Sequence, residues 1–179
     1  GFVVVNHDNA LGTGIVTARG GQLQAGTTGI VIPNDVNIDS GGLRLGGSID
    51  FEISGLITLI GAQRDIGQYG TNTVTLSGGI DMNGQDIQFR GINGQDNGAL
   101  IVNGITGNHN VTLNSDFDGG EVTLIGTSDY TGTTDVNAGT LVLNGTHTGG
   151  GTYTIASGAT LMGTGTTDAD VVINGTHAP

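Results

Sequence analysis

The sequence predicts an all-β protein, a parallel β-solenoid of about eight or nine stacked coils with little or no α-helix. Three observations favour this fold class. A unit of about 20 residues recurs along the chain, as in solenoid proteins. Glycine supplies 36 of the 179 residues, against about 7% in average proteins. No segment carries apolar residues at helical spacing over three turns.

The repeat is clearest between residues 130 and 165, where a short strand, a corner with glycine and a second strand occur twice. Three pairs recur at offsets of 19, 19 and 20 residues: Val136 with Ile155, Gly139 with Gly158, and Leu141 with Leu161. A unit this small cannot bury its own apolar face, so successive units are expected to stack on a shared core. We also expect Gly139 and Gly158 to have equivalent backbone geometry with positive φ.

The same offsets occur elsewhere. Residues 122–126 correspond to residues 141–145 at an offset of 19. At an offset of 20, Val16, Gly21, Leu23 and Gly26 correspond to Val36, Gly41, Leu43 and Gly46. The chain shows no change in composition that would mark a linker. We therefore predict a single β-solenoid domain over residues 1–179.

The strands can be assigned in order from runs of β-branched and aliphatic residues between Gly, Asn, Asp and Pro corners. In the first third they are residues 2–5, 14–18, 22–24, 29–32, 36–38, 43–45, 49–53 and 56–60. Residues 61–72 are the least regular segment and are predicted to be a loop. Between residues 74 and 105 strands are short, with Asn-Gly turns at 83, 93, 97 and 103. In the last third they are residues 111–113, 122–125, 134–136, 140–143, 153–155, 160–162 and 171–173.

Alternation along the strands predicts which side chains face the core. The expected core members are Ile49, Phe51, Ile53, Val122, Leu124, Val136, Leu141, Leu143, Ile155 and Leu161. Thr123, Val142 and Thr160 are expected to point outward or to lie at corners.

The charge of the chain disfavours several partners. The formal net charge is −12, and all four cations are arginines. Nucleic acid is not an expected partner, because phosphate binding needs a basic surface. No apolar run is long enough to insert this segment into a membrane. The absence of cysteine is compatible with the cytosol and equally with a secreted bacterial protein; the composition as a whole favours an extracellular location.

Residues 122–145 read VTLIGTSDYTGTTDVNAGTLVLNG, followed by GATLMGTG at 158–165, VING at 172–175 and Ala178-Pro179. This pattern closely resembles the autotransporter-associated β-strand repeat, found in passenger domains of bacterial autotransporters and other large surface proteins. The match is specific over residues 111–179 and looser upstream. The resemblance implies a right-handed parallel β-helix exported to the cell surface as a stalk or adhesive spacer. It implies no catalytic residues.

Some side chains have a residue type that suits chemistry. Asp116, Asp118 and Glu121 form a candidate Ca²⁺ site, since carboxylates and glycine can supply hard oxygen ligands; a solvated acidic corner is the competing interpretation. No other cofactor is expected.

A carbohydrate-cleaving β-helix would need clustered carboxylates, for which Asp81 with Asp86, or Arg64 with Asp65, are the candidates. The acids are scattered over many corners, however, and few aromatic residues are available to stack on sugars. We therefore predict no catalytic residues. The four histidines, His7, His109, His147 and His177, are predicted to be turn residues.

These observations predict a non-catalytic extracellular structural β-helix, a stalk, spacer or fibre segment on a bacterial surface. The alternatives are a carbohydrate-active lyase or hydrolase, and an adhesin that binds surface glycans through residues 61–72. The first and last strands are apolar and carry no capping element. We therefore expect them to meet neighbouring coils, either of a longer surface protein or of identical subunits stacked end to end in a filament.

Overall fold

The computed structural model describes residues 1–62, 64–91, 98–114, 116–117 and 119–178. These residues form 25 short strands and no helix, and every strand pair is parallel. None of the described residues belongs to a helix that could cross a membrane. The all-β prediction is confirmed.

The strands lie on three faces of the coil. The first face is a nine-stranded sheet whose neighbours are, in order, β1 (Phe2–Val5), β3 (Gln22–Ala25), β6 (Leu43–Gly47), β9 (Arg64–Gly70), β12 (Ile87–Arg90), β15 (Val111–Leu113), β18 (Thr134–Val136), β21 (Thr152–Ile155) and β24 (Asp170–Ile173). The second face is an eight-stranded sheet of β4 (Ile30–Ile32), β7 (Phe51–Ile53), β10 (Thr73–Leu76), β13 (Ala99–Val102), β16 (Glu121–Leu124), β19 (Thr140–Leu143), β22 (Thr160–Met162) and β25 (Thr176–Ala178).

The third face has two shorter sheets. Five strands form the first of them: β2 (Val16–Ala18), β5 (Val36–Ile38), β8 (Ile57–Leu59), β11 (Ile80–Asp81) and β14 (Ile105–Thr106). Three form the second: β17 (Thr127–Ser128), β20 (Thr146–His147) and β23 (Thr166–Thr167). The result is a β-solenoid of about eight coils.

The interior is one apolar stack in which equivalent positions of successive coils pair directly. In the second face Leu100, Val122, Leu141 and Leu161 are register partners in turn, and all four are buried. All the predicted core residues are buried except Ile49, which is partly buried against the core. Periodicity of two therefore assigned the inner face correctly.

Two residues predicted to be outward or at corners are also buried. Thr123 and Val142 are only 9% and 8% exposed. The registers stack Ile101, Thr123, Val142 and Met162 in successive strands on the outer side of the second face. Thr123 and Val142 are the two middle members of this row, and their neighbours on either side cover them. They are therefore buried although they face outward.

The register near the first coils differs in part from the predicted offset. Val16 pairs with Val36 at the expected spacing of 20 (36 − 16). Leu23, however, pairs with Leu45 rather than with Leu43. The path from Ile38 to Arg44 is two residues longer than the path between their register partners Ala18 and Gln22. The longer path contains Gly41 and Gly42, both at φ +74°.

Residues 61–72 are not a loop, contrary to prediction. Most of the segment is β9, a seven-residue strand that pairs with β6 and β12. Gln68 interrupts the expected alternation because it is a buried polar residue; its side-chain amide donates to the Asn72 carbonyl oxygen at 2.6 Å. Pairing with the two flanking strands holds this segment as a strand, although its sequence by itself shows little β pattern.

The corner glycines behave as predicted in the sign of φ. Gly139 has φ +70° and Gly158 has φ +90°. Their positions are not fully equivalent, because Thr140 pairs with Thr160 and Gly139 therefore aligns with Ala159. A Cβ on Gly139 would lie 2.5 Å from the Phe117 carbonyl oxygen, whereas one on Gly158 would meet nothing within 4 Å.

Candidate functional site

Corner carboxylates and amides hold one coil to the next. In each case a side-chain Oδ1 accepts a backbone N–H of the following coil. The pairs are Asp8 with Val31 (3.0 Å), Asp35 with Leu56 (2.9 Å), Asp50 with Thr73 (2.7 Å), Asp86 with Asn110 (2.9 Å), Asn110 with Thr133 (2.9 Å) and Asn144 with Thr164 (3.2 Å). Acids that look scattered in the sequence therefore share one structural use, to satisfy donors that the strand ladders leave over.

Asparagine side chains also bond in the opposite direction, donating to a carbonyl oxygen of the preceding coil. The buried Asn34 is the clearest case, since its Nδ2 donates to Gly12 at 3.0 Å and to Gly14 at 2.7 Å. Asn72, Asn83 and Asn103 make similar bonds of 2.9–3.0 Å. An ionised aspartate of the same length could not make these bonds, because a carboxylate only accepts.

The two described members of the candidate calcium site, Asp116 and Glu121, bond to different partners. Asp116 Oδ2 accepts a bond from Arg90 Nε at 2.9 Å, and Glu121 Oε1 accepts the Thr123 hydroxyl at 3.2 Å. Asp118 lies outside the described residues. Within the part that the structure describes, no three His, Asp or Glu side chains form a group suited to a metal ion. The calcium site stays a prediction.

The candidate catalytic carboxylates have structural partners. Asp81 accepts the Asn83 N–H at 2.8 Å within its own corner. Asp86 accepts the Asn110 N–H and lies 3.3 Å from His109 Nδ1. The pairing of Asp86 with His109 was not predicted from the sequence, although their offset of 23 residues is about one coil.

Asp65 is bound to Arg90, which also contacts Asp116. Arg90 Nη1 lies 3.1 Å from Asp65, and Nη2 lies 2.8 Å from Asp116. The hydrogen bond to Asp116, followed by that to Asp65, raises the pKa of Arg90. The two carboxylates lie 25 and 26 residues from Arg90, so a search for opposite charges one coil apart could have found this cluster.

His147 is not an ordinary turn residue, contrary to prediction. Its side chain is completely buried and stacks on Tyr130, with ring centroids 4.1 Å apart. Nε2 lies 2.8 Å from the Tyr130 carbonyl oxygen, which can only accept, so this nitrogen carries the proton. Nδ1 then accepts the Tyr153 hydroxyl at 3.1 Å.

The two tyrosines extend this network inside the core. Tyr130 Oη lies 2.6 Å from the Thr134 hydroxyl and 3.2 Å from Tyr153 Oη. Burial raises the pKa of Tyr130 well above its usual value of 10.0, and burial also raises the pKa of Tyr153. Because their polar atoms bond to one another inside the core, these side chains stabilise the stack. No local sequence signal identified the group, since its members lie on different strands and corners.

Comparison with known proteins adds no relative. No protein-family model matches the chain, and neither the curated proteins nor the solved structures include a match. The class that the fold defines is therefore the parallel β-solenoid.

Proposed function

We propose that this chain is a non-catalytic structural β-helix, a stalk, spacer or fibre segment on a bacterial cell surface. The observation that carries the proposal is the use of corner side chains as bonds between coils. Carboxylates such as Asp8, Asp35 and Asp50 accept N–H groups of the following coil. Their chemistry serves the continuity of the stack.

The stack has the geometry of a spacer. Parallel strands lie about 4.8 Å apart, so eight coils extend on the order of 40 Å. Each added coil lengthens the axis and repeats the same contacts. The resemblance of residues 111–179 to the autotransporter-associated repeat supports the surface location and the passenger role.

The ends of the stack favour contact with further coils. Phe2, on the outer strand β1, is 67% exposed, and Val172, on the outer strand β24, is 48% exposed. These strands also present unpaired backbone groups that would template another strand. We propose that coils of the same longer protein, or of identical subunits, cover them.

The location can be tested with antibodies raised against the folded domain. Intact cells that produce the protein should be labelled, and brief protease treatment of intact cells should remove the label. Labelling that requires permeabilised cells would contradict the surface proposal. A cytoplasmic protein of the same cells, probed in parallel, is the control for lysis.

A polysaccharide lyase or hydrolase is the second candidate, favoured by one observation. Asp86 and His109 lie 3.3 Å apart, and their side chains are 37% and 39% exposed. Such a pair could exchange protons with a substrate. Acidic and neutral polysaccharides incubated with the protein, with and without Ca²⁺, are expected to yield no new reducing ends or unsaturated products. Activity that Asp86→Asn abolishes would replace the stalk proposal with an enzyme.

A further inference from the structure

We propose that the outer side of the first face binds an acidic sugar unit, with its carboxylate on Arg44. The site is a polar recess of about 180 Å³ formed by Gly41, Gly42, Arg44, Asp65, Tyr69 and Arg90. We call it the Arg44 recess. This inference goes beyond the stalk function and does not depend on it.

A missing side chain makes room for one wall of the recess. Arg44 of β6 and Arg90 of β12 are both register partners of Gly67, which lies between them in β9. Two arginines therefore flank a position with no side chain. The ring of Tyr69 lies against this position, since a Cβ on Gly67 would be 2.0 Å from Tyr69 Cε2. The ring occupies the space between the two strands and forms part of the wall.

Arg44 is held in place without a carboxylate. Its Cζ lies 5.4 Å from the centroid of the Tyr69 ring, in a cation–π contact. Among the described residues no carboxylate oxygen lies within 4 Å of the Arg44 guanidinium, whereas Arg19 contacts one carboxylate and Arg90 contacts two. The stacked guanidinium is a planar fork of N–H donors, which matches a carboxylate in two parallel bonds.

The opposite wall offers acceptors as well as donors. Asp65 bonds to Arg90 through Oδ2, and its side chain remains 37% exposed. A carboxylate beside the recess accepts hydrogen bonds from hydroxyl groups, which a simple anion lacks. The recess therefore combines a guanidinium for one negative charge with an acceptor for neutral hydroxyls.

The charge and the size of the recess further restrict which ligands it can bind. Two arginines and one aspartate line the recess. Arg90 bonds to Asp65 and also to Asp116, so among the described residues Arg44 is the cation of the recess without a carboxylate partner. Its volume is below the roughly 300–1,000 Å³ of pockets that enclose drug-sized ligands. A single hexuronate, free or as a unit of a glycan, has the single charge, the hydroxyls and the small size that fit.

The experiment is a titration of the whole chain with D-glucuronate, in which the NMR chemical shifts of backbone amides are measured at each step. D-glucose and acetate are the matched probes, because the first lacks the carboxylate and the second lacks the hydroxyls. We expect saturable shifts at Arg44, Gly42 and Tyr69 with glucuronate, and weaker binding of both other probes. Equal binding of glucose would overturn the role of the carboxylate, and equal binding of acetate would overturn sugar recognition.

Two variants locate the site. Arg44→Gln is expected to weaken glucuronate binding at least about tenfold, because it removes a charge-assisted pair of bonds. Arg19→Gln makes the same change in net charge outside the recess and is expected to leave the affinity within about twofold. Circular dichroism melts verify that both variants fold. No saturable shifts in the wild type, or equal weakening by both variants, would overturn the proposal.

Discussion

Alanine at the two corner glycines should separate backbone strain from crowding. Gly139 and Gly158 have φ +70° and +90°, and an L residue in this region costs about 1–2 kcal/mol. At Gly158 that strain is the whole effect, since a Cβ would meet nothing within 4 Å. At Gly139 the Cβ would lie 2.5 Å from one backbone oxygen and 2.7 Å from another. Moving the backbone to relieve such overpacking adds about 1–3 kcal/mol.

Urea unfolding followed by circular dichroism measures both costs. We expect Gly158→Ala to lower the free energy of unfolding by about 1–2 kcal/mol, and Gly139→Ala by about 2–5 kcal/mol when the two terms are added. The two variants act as controls for each other, because each adds the same methyl group at a corner. Equal losses, or wild-type stability in both, would refute the assignment of the crowded corner.

Three further predictions address the core and the polar bonds. Leu141→Ala should lower the free energy of unfolding by about 2–5 kcal/mol, because it leaves a cavity in the stack. Ile125→Ala, at a side chain 47% exposed, should cost less than half as much. A loss at Leu141 below about 0.5 kcal/mol in denaturant melts would refute the register. Asn34→Asp should destabilise the fold by at least about 1–3 kcal/mol at neutral pH, since a carboxylate would replace the amide that donates to two carbonyl groups; unchanged stability would show that these bonds contribute nothing. The free energy of unfolding should fall as the pH rises above about 10, because the raised pKa values of Tyr130 and Tyr153 mean that the unfolded chain loses these protons first. Melts of the double variant Tyr130→Phe/Tyr153→Phe should show a smaller fall. The same dependence of stability on pH in both proteins would contradict the role of the two tyrosines.

The sequence predicted the features that depend on short-range pattern. Alternation placed Val122, Leu124 and Leu141 in the core, and an offset of one coil paired Val136 with Ile155. These succeed because a strand has a fixed period of two and each coil has nearly the same length.

The errors arise where neighbouring coils decide the structure. β9 contains Gly67 and the buried Gln68, so it lacks alternation, and its pairing with β6 and β12 forms it. The burial of Thr123 and Val142 likewise depends on contacts between coils on the outer side of the sheet. Neither the pairing of β9 nor the contacts around Thr123 and Val142 can be deduced from the composition of the chain.

The polar side chains were harder to interpret than the fold. The acids are scattered along the sequence, and the neighbours of His147 in the sequence indicate only a turn. The cluster of Arg90 joins three coils, and His147 meets Tyr130 and Tyr153 across the core. Such partners become visible only once the register is known.

Disulfide trapping would test the stacked register most directly, since the chain contains no cysteine. Asp135 pairs with Thr154, and Thr154 pairs with Val172. Cysteines at 135 and 154 are thus one coil apart, about 4.8 Å, whereas cysteines at 135 and 172 are two coils apart, about 9.6 Å. A disulfide forms only when the Cα atoms are within about 7 Å. Under mild oxidation we expect an intramolecular disulfide in Asp135→Cys/Thr154→Cys and none in Asp135→Cys/Val172→Cys. Trapping of the second pair but not the first would contradict the stacking of coils from which the proposed function is argued.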